Sequence, residues 1–156
     1  AMRRSELVAL NREDLAFADD GVTITIRRSK TDKTGKGEQV AIARTRTEFC
    51  AVAALEEWLA HVPPSGPIFL AADRLKRMQP RQVATIAKRW AAHAGFPAID
   101  IGAHSLRRGC ITSMFEAGAD LKSLMQHSRH KTVDIAMGYV QAKRAQQNPA
   151  IKLIAI

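Results

Sequence analysis

The sequence predicts a mainly α-helical domain that carries a small antiparallel β-hairpin or sheet, an α+β chain. Two short runs, 22–26 and 39–43, alternate apolar or β-branched residues with their neighbours and are separated by a polar, glycine-punctuated stretch. Most of the remainder places apolar residues at helical spacing and is broken by Pro and Gly. At 156 residues with 46% apolar content, the chain suits one folded domain over 1–156 and is too short for two ordinary ones.

Leu7, Val8, Leu10, Leu15 and Phe17 predict a helix over 5–17, stopped by the turn signal Asp19-Asp20-Gly21. The strand at 22–26 follows, then the loop SKTDKTGKG at 29–37, then the partner strand at 39–43. Phe49, Val52, Leu55, Leu59 and Val62 form the apolar stripe of an amphipathic helix over 47–62, ended by Pro63-Pro64-Ser65-Gly66-Pro67. Ile68-Phe69-Leu70 reads as a short strand or a buried connector, and 74–78 as a basic linker. A helix over 80–94 stops at Gly95, which suits the residue just past a helix end. Three short helices near 104–117, 120–126 and 132–141 complete the fold, separated by Gly118 and by Ser128-Arg129.

Lys and Arg number 24 against 15 acids, a net charge of +9. The isoelectric point of about 10.2 points to a polyanionic partner such as nucleic acid, or else to a solvated cationic face. Cys50 and Cys110 are too few for a disulfide framework and lack CxxC spacing, which fits a reducing compartment. No stretch reaches the roughly 18–20 apolar residues of a membrane span, and the start AMRRSEL has no signal-peptide core. The expected location is the cytoplasm.

His104 and Arg107 stand three apart, so on a helix they project from one face a single turn apart. A later histidine, His130, precedes Tyr139, the only tyrosine of the chain. Two cationic groups, a histidine and a lone phenol can grip a phosphodiester and attack it through the tyrosine oxygen. Equally, Tyr139 suits a core position beside Ile135, Ala136 and Val140, and Arg107 a surface one. His127 and His130 lie three apart, but no third ligand lies near enough in sequence for a zinc site, so no metal is expected.

These stretches resemble the tyrosine recombinases, the phage-integrase family. His104-Ser105-Leu106-Arg107, followed by Gly109, is similar to the family's H-x-x-R box. His130, nine residues before Tyr139, matches its third box. Arg3-Arg4-Ser5-Glu6-Leu7 resembles the R-x-S-E-L box, and Ser29-Lys30-Thr31 the hairpin lysine. Four boxes in the right order cover nearly the whole chain. One departs from the commonest form: Ser128-Arg129 stands where Leu-Gly usually precedes the histidine. His127-Ser128 imitates the familiar His-Ser pair but lies twelve residues before Tyr139, so spacing assigns the role to His130 and leaves His127 structural or exposed.

The resemblance implies the catalytic-domain fold of that family, truncated at its N-terminus. A helix and a separate core-DNA-binding domain normally precede the first box, so the chain is expected to be a fragment. The implied activity is site-specific cutting and rejoining of double-stranded DNA through a 3′-phosphotyrosine at Tyr139. Arg3 and Arg107 would clamp the phosphate, with Arg4 and Arg108 turned about 100° away. His104 and His130 would bond it, and Lys30 would protonate the leaving oxygen. Lys33 and Lys36 share the loop of Lys30 and could contact the DNA backbone, as could Arg81 and Lys88 on the 80–94 helix. No cofactor is implied. The implied assembly is a homo-oligomer, a tetramer on DNA at the nucleoid, with the apolar tail 149–156 docking on a neighbour or packing on its own domain. Alternatives of related chemistry are a type IB topoisomerase-like relaxing enzyme and a non-catalytic DNA-binding module. A metal-dependent nuclease is disfavoured, since no acidic cluster lies beside the histidines.

Overall fold

The computed structural model describes residues 1–29, 37–97, 101–102 and 104–129. Lys30, Lys33, Lys36, His130, Tyr139 and the tail 149–156 therefore lie outside the described residues, as does the helix expected near 132–141. The chain forms two compact units, one of Arg3–Ile86 and one of Ala1–Met2 with Ala87–Ile156.

In the first unit, helix α1 covers Arg4–Ala9. Arg3 precedes it in extended conformation, and its backbone N–H donates to the carboxylate of Glu6 at 2.7 Å, one half of a capping box. The helix stops far short of residue 17. Leu10 leaves the helical region (φ −63°, ψ 138°), and the Asn11 N–H donates to Asp14 Oδ2 at 2.8 Å, opening a 3₁₀ turn over Arg12–Asp14. Short polar side chains capture backbone donors in this way in competition with helix.

Strand β1, Leu15–Ala18, then pairs with β2, Gly21–Ile26, and β2 with β3, Glu38–Ala43. Both pairings are antiparallel, in the order β1-β2-β3. The expected helix over 5–17 is thus a helix, a turn and an edge strand. Leu15 and Phe17 fit alternation as well as helical spacing, and pairing with β2 decided the outcome. A Cβ at Gly21 would lie 2.2 Å from the Ile42 carbonyl oxygen, so only glycine permits the strand to start there.

Val22, Ile24 and Ile26 bury one face of β2, and Val8, Leu10, Val40, Val52, Leu59 and Ile68 of the same unit are buried as well. Helix α2 spans Ala51–Leu59, within the expected 47–62. Of the predicted stripe, Val52 and Leu59 are buried, but Phe49 precedes the helix and is 86% exposed. Arg44, just past β3, grips Glu56 of α2 through two hydrogen bonds of 2.8 and 2.6 Å. Each partner favours the charged form of the other: the pairing raises the Arg44 pKa and lowers that of Glu56. Of residues 68–70 only Ile68 is buried, at 1% exposed, and its carbonyl accepts from Trp58 Nε1 at 2.7 Å, while Leu70 forms an isolated antiparallel bridge with Arg77.

Helix α3, Pro80–His93, matches the expected 80–94 and buries no side chain among the described residues. Gly95 (φ +79°) ends it with a Schellman pair, Gly95 N–H to Ala92 O and Phe96 N–H to Ala91 O.

In the second unit, α4 covers Ser105–Glu116 and α5 covers Leu121–Ser128. Gly118 (φ +86°) closes α4, and Asp120 caps α5 by accepting from the Ser123 N–H at 3.0 Å. The Ser123 bonds hold the Asp120 carboxyl below its ordinary pKa. Ile111 and Leu124 are buried. No described helix is long and apolar enough to cross a membrane.

Ile24→Ala, which empties a site at the centre of the sheet, should cost about 2–5 kcal/mol in urea denaturation. Phe49→Ala should stay within about 0.5 kcal/mol of the parent, because that ring faces solvent.

Candidate nucleic-acid and phosphoryl-transfer site

Arg3 and Glu6 belong to the first unit, at the start of α1. The Arg3 guanidinium donates to Glu6 Oε1 at 2.7 Å, while the other carboxylate oxygen takes the Arg3 backbone N–H. The Glu6 side chain is 2% exposed and that of Arg3 is 21% exposed. A buried carboxylate thus orients a partly exposed guanidinium, a group with five N–H donors. Sequence reasoning gave Glu6 no role. The signal was present in its position three residues after Arg3, one helical turn away. Arg4, the neighbouring arginine, is exposed.

His104 and Arg107 lie where the sequence predicts, one turn apart at the start of α4. His104 occupies the N-cap position and is exposed. Arg107 is 5% exposed, which rules out the surface reading, while Arg108 faces solvent. The Arg107 guanidinium donates through Nη1 to the Ala1 carbonyl and through Nη2 to the Ser128 carbonyl. Buried charge of this kind is tolerated only when well bonded. The first turn of α4 adds partial positive charge beside His104.

His127 is half-buried: its Nε2 lies 3.1 Å from the Ala1 nitrogen and 4.0 Å from Cys110 Sγ. Burial lowers its pKa, helped by the Ala1 amino group, Arg129 and Arg107. That makes it a packed structural histidine, one of the two readings the sequence left open. Among the described residues no group of three His, Cys, Asp or Glu could hold a metal ion.

The Ser128-Arg129 departure has a structural expression. Ser128 is fully buried, and Arg129 closes α5 in the left-handed region (φ 56°, ψ 39°), a conformation that suits glycine. Ser128 contributes its carbonyl to Arg107, a role any residue small enough for the site can fill. Arg81 and Lys88 are exposed on α3, and the Arg89 guanidinium lies 5.9 Å from the Trp90 ring centre.

Residues 1–146 match the Phage integrase family. An integrase/recombinase xerD homolog from Selenomonas ruminantium is 38% identical over 148 residues, covering 90% of this chain and 43% of that protein. The tyrosine recombinase XerC of Mycobacterium sp. (strain KMS) is 35% identical over 100 residues, 60% of this chain and 33% of its own length. The chain therefore spans less than half of these curated relatives. Among solved structures, XerH site-specific recombinase bound to palindromic difH substrate superposes with a TM-score of 0.77 at 20% identity. That match covers 99% of this chain and 42% of the other. XerA recombinase gives 0.68 at 22% identity, over 94% of this chain and 53% of its own. The two boxes whose geometry is described, an arginine oriented by a buried carboxylate and an exposed histidine one turn before a buried arginine, accord with that fold, and the chain belongs to the phage integrase family.

Proposed function

We propose that the chain is the catalytic domain of a site-specific tyrosine recombinase that cuts and rejoins double-stranded DNA. The observation that carries this reading is the first turn of α4, where exposed His104 stands one turn from a guanidinium that is buried and fixed by two carbonyls. A donor set held in place before substrate arrives stabilises charge developing in the transition state without reorganisation.

The Tyr139 oxygen attacks the scissile phosphorus, the bond to the 5′ oxygen breaks, and a 3′-phosphotyrosine forms. The phenol releases its proton to solvent water, and the leaving oxygen takes one from Lys30. Arg3 and Arg107 neutralise the non-bridging oxygens, and His104 and His130 bond them. Attack by the free 5′ hydroxyl of a partner strand reverses the chemistry and completes exchange. The phosphotyrosine conserves the energy of the broken diester, so the cycle consumes neither nucleotide nor metal. Lys33, Lys36, Arg81 and Lys88 contact the DNA backbone. The domain works beside a separate DNA-clamping domain in a tetramer on DNA, at the nucleoid in the cytoplasm, with tail 149–156 docked on a neighbouring subunit.

Incubating the full-length protein with a suicide DNA substrate should trap a covalent adduct without added metal. Tyr139→Phe should abolish the adduct while DNA binding persists. Persistence of the adduct in that variant would overturn the reading, and relaxation of arbitrary supercoiled DNA without exchange between sites would favour a topoisomerase. The logarithm of the DNA affinity of the 156-residue chain should fall linearly with the logarithm of salt concentration in a filter-binding series. Deleting 149–156 should weaken DNA-dependent assembly in sedimentation; intact assembly with normal cleavage would rule out docking in trans.

A further inference from the structure

Arg77 lies in none of the recognised boxes, yet it makes three hydrogen bonds to the segment that follows Arg3. Its Nη1 donates to the carbonyls of Val8 at 2.7 Å and Leu10 at 3.1 Å, and its Nη2 donates to Asn11 Oδ1 at 2.6 Å. The Val8 carbonyl needs an outside partner, whereas that of Leu10 also accepts from the Ile68 N–H at 3.2 Å. Had α1 continued, the Arg12 N–H would have bonded to Val8 O, but it donates instead to Gly66 O at 2.8 Å. With six residues, α1 is also too short to hold itself in water, so its orientation depends on what grips its ends.

Arg77 is itself held firmly. It pairs across an antiparallel bridge with Leu70, flanked by Ala71 N–H to Lys76 O at 2.8 Å and Met78 N–H to Phe69 O at 2.9 Å. Asp73 fixes the turn between them by accepting from the Leu75 and Lys76 N–H groups at 3.0 and 3.3 Å. One end of α1 is therefore clipped to this hairpin, and the other end carries Arg3 at its N-cap.

We infer that Arg77 is a positioning residue for Arg3: it pins the C-terminal end of α1 and so sets the angle at which the Arg3 guanidinium meets the scissile phosphate. The inference rests on the proposed role of Arg3 in DNA cleavage. A planar fork that serves three acceptors cannot be replaced by one ammonium, so lysine restores only part of the clip.

The test is a double-mutant cycle in the full-length protein, reading single-turnover cleavage at saturating suicide DNA, with binding measured separately. Arg77→Gln should slow cleavage about 10- to 100-fold with DNA affinity unchanged, the scale expected of a misplaced catalytic group. Arg77→Lys should fall between it and the parent. In an Arg3→Ala background, Arg77→Gln should add no more than about twofold, because the two residues act as one unit. Multiplicative losses, or an Arg77→Gln rate equal to the parent's, would overturn the inference while leaving the role of Arg3 intact. An Arg3→Ala protein that cleaves normally would remove the reading beneath it. Should Arg77→Gln fail to fold, Asn11→Ala, which deletes one acceptor, takes its place in the cycle with the same two outcomes.

Discussion

Guanidinium groups holding the carbonyl ends of short helices are the interaction on which this structure depends most. Arg77 closes α1, the Arg12 Nη1 donates to Leu59 O at the end of α2, and Arg107 donates to Ser128 O at the end of α5. These helices have six, nine and eight residues, lengths at which intrinsic propensity cannot sustain a helix in water. Each helix end leaves carbonyls without an intrahelical partner, and in each case an arginine supplies the donor. A helix end tied in this way has a defined direction, and direction is what a side chain at the opposite end needs in order to meet a substrate.

This arrangement changes what the net charge of +9 means. Charge alone points to a polyanionic partner, but several of the arginines that make up the excess are bonded within the chain. Arg77 and Arg12 bond main-chain oxygens, Arg107 is buried, Arg44 grips Glu56, and Arg27 pairs with the buried carboxylate of Asp14 at 2.5 Å. The cations of α3, Arg81 and Lys88 among them, stay exposed. A count of basic residues therefore overstates the surface field, while the distribution of arginines describes how the scaffold is braced.

The paired boxes show the same division between placement and reach. Arg3 is oriented by Glu6, a carboxylate that sequence reasoning quoted and passed over, and Arg107 by two backbone carbonyls that no side-chain pattern announces. The glycine of the family's commonest third box has its counterpart here in the left-handed backbone of Arg129. The backbone conformation that glycine suits can be kept without glycine when the surrounding chain imposes it, at a cost of about 1 kcal/mol.

The sequence alone determined the family, the order of its boxes, the β2–β3 pairing, the reach of α3 with its glycine stop, and the one-turn spacing of His104 and Arg107. Those features are local, since alternation, helical period and turn residues act over a few positions and need no distant partner. Only the tertiary structure decided that 5–17 divides into helix, turn and strand, because Leu15 and Phe17 satisfy both periods and hydrogen bonding to β2 broke the tie. It alone exposed Phe49, buried Arg107 and carried Arg77 across 69 positions to the carbonyl of Val8. Such contacts join residues far apart in the chain, and the free energy that selects them comes from burial and from satisfying backbone groups, neither of which a local pattern records.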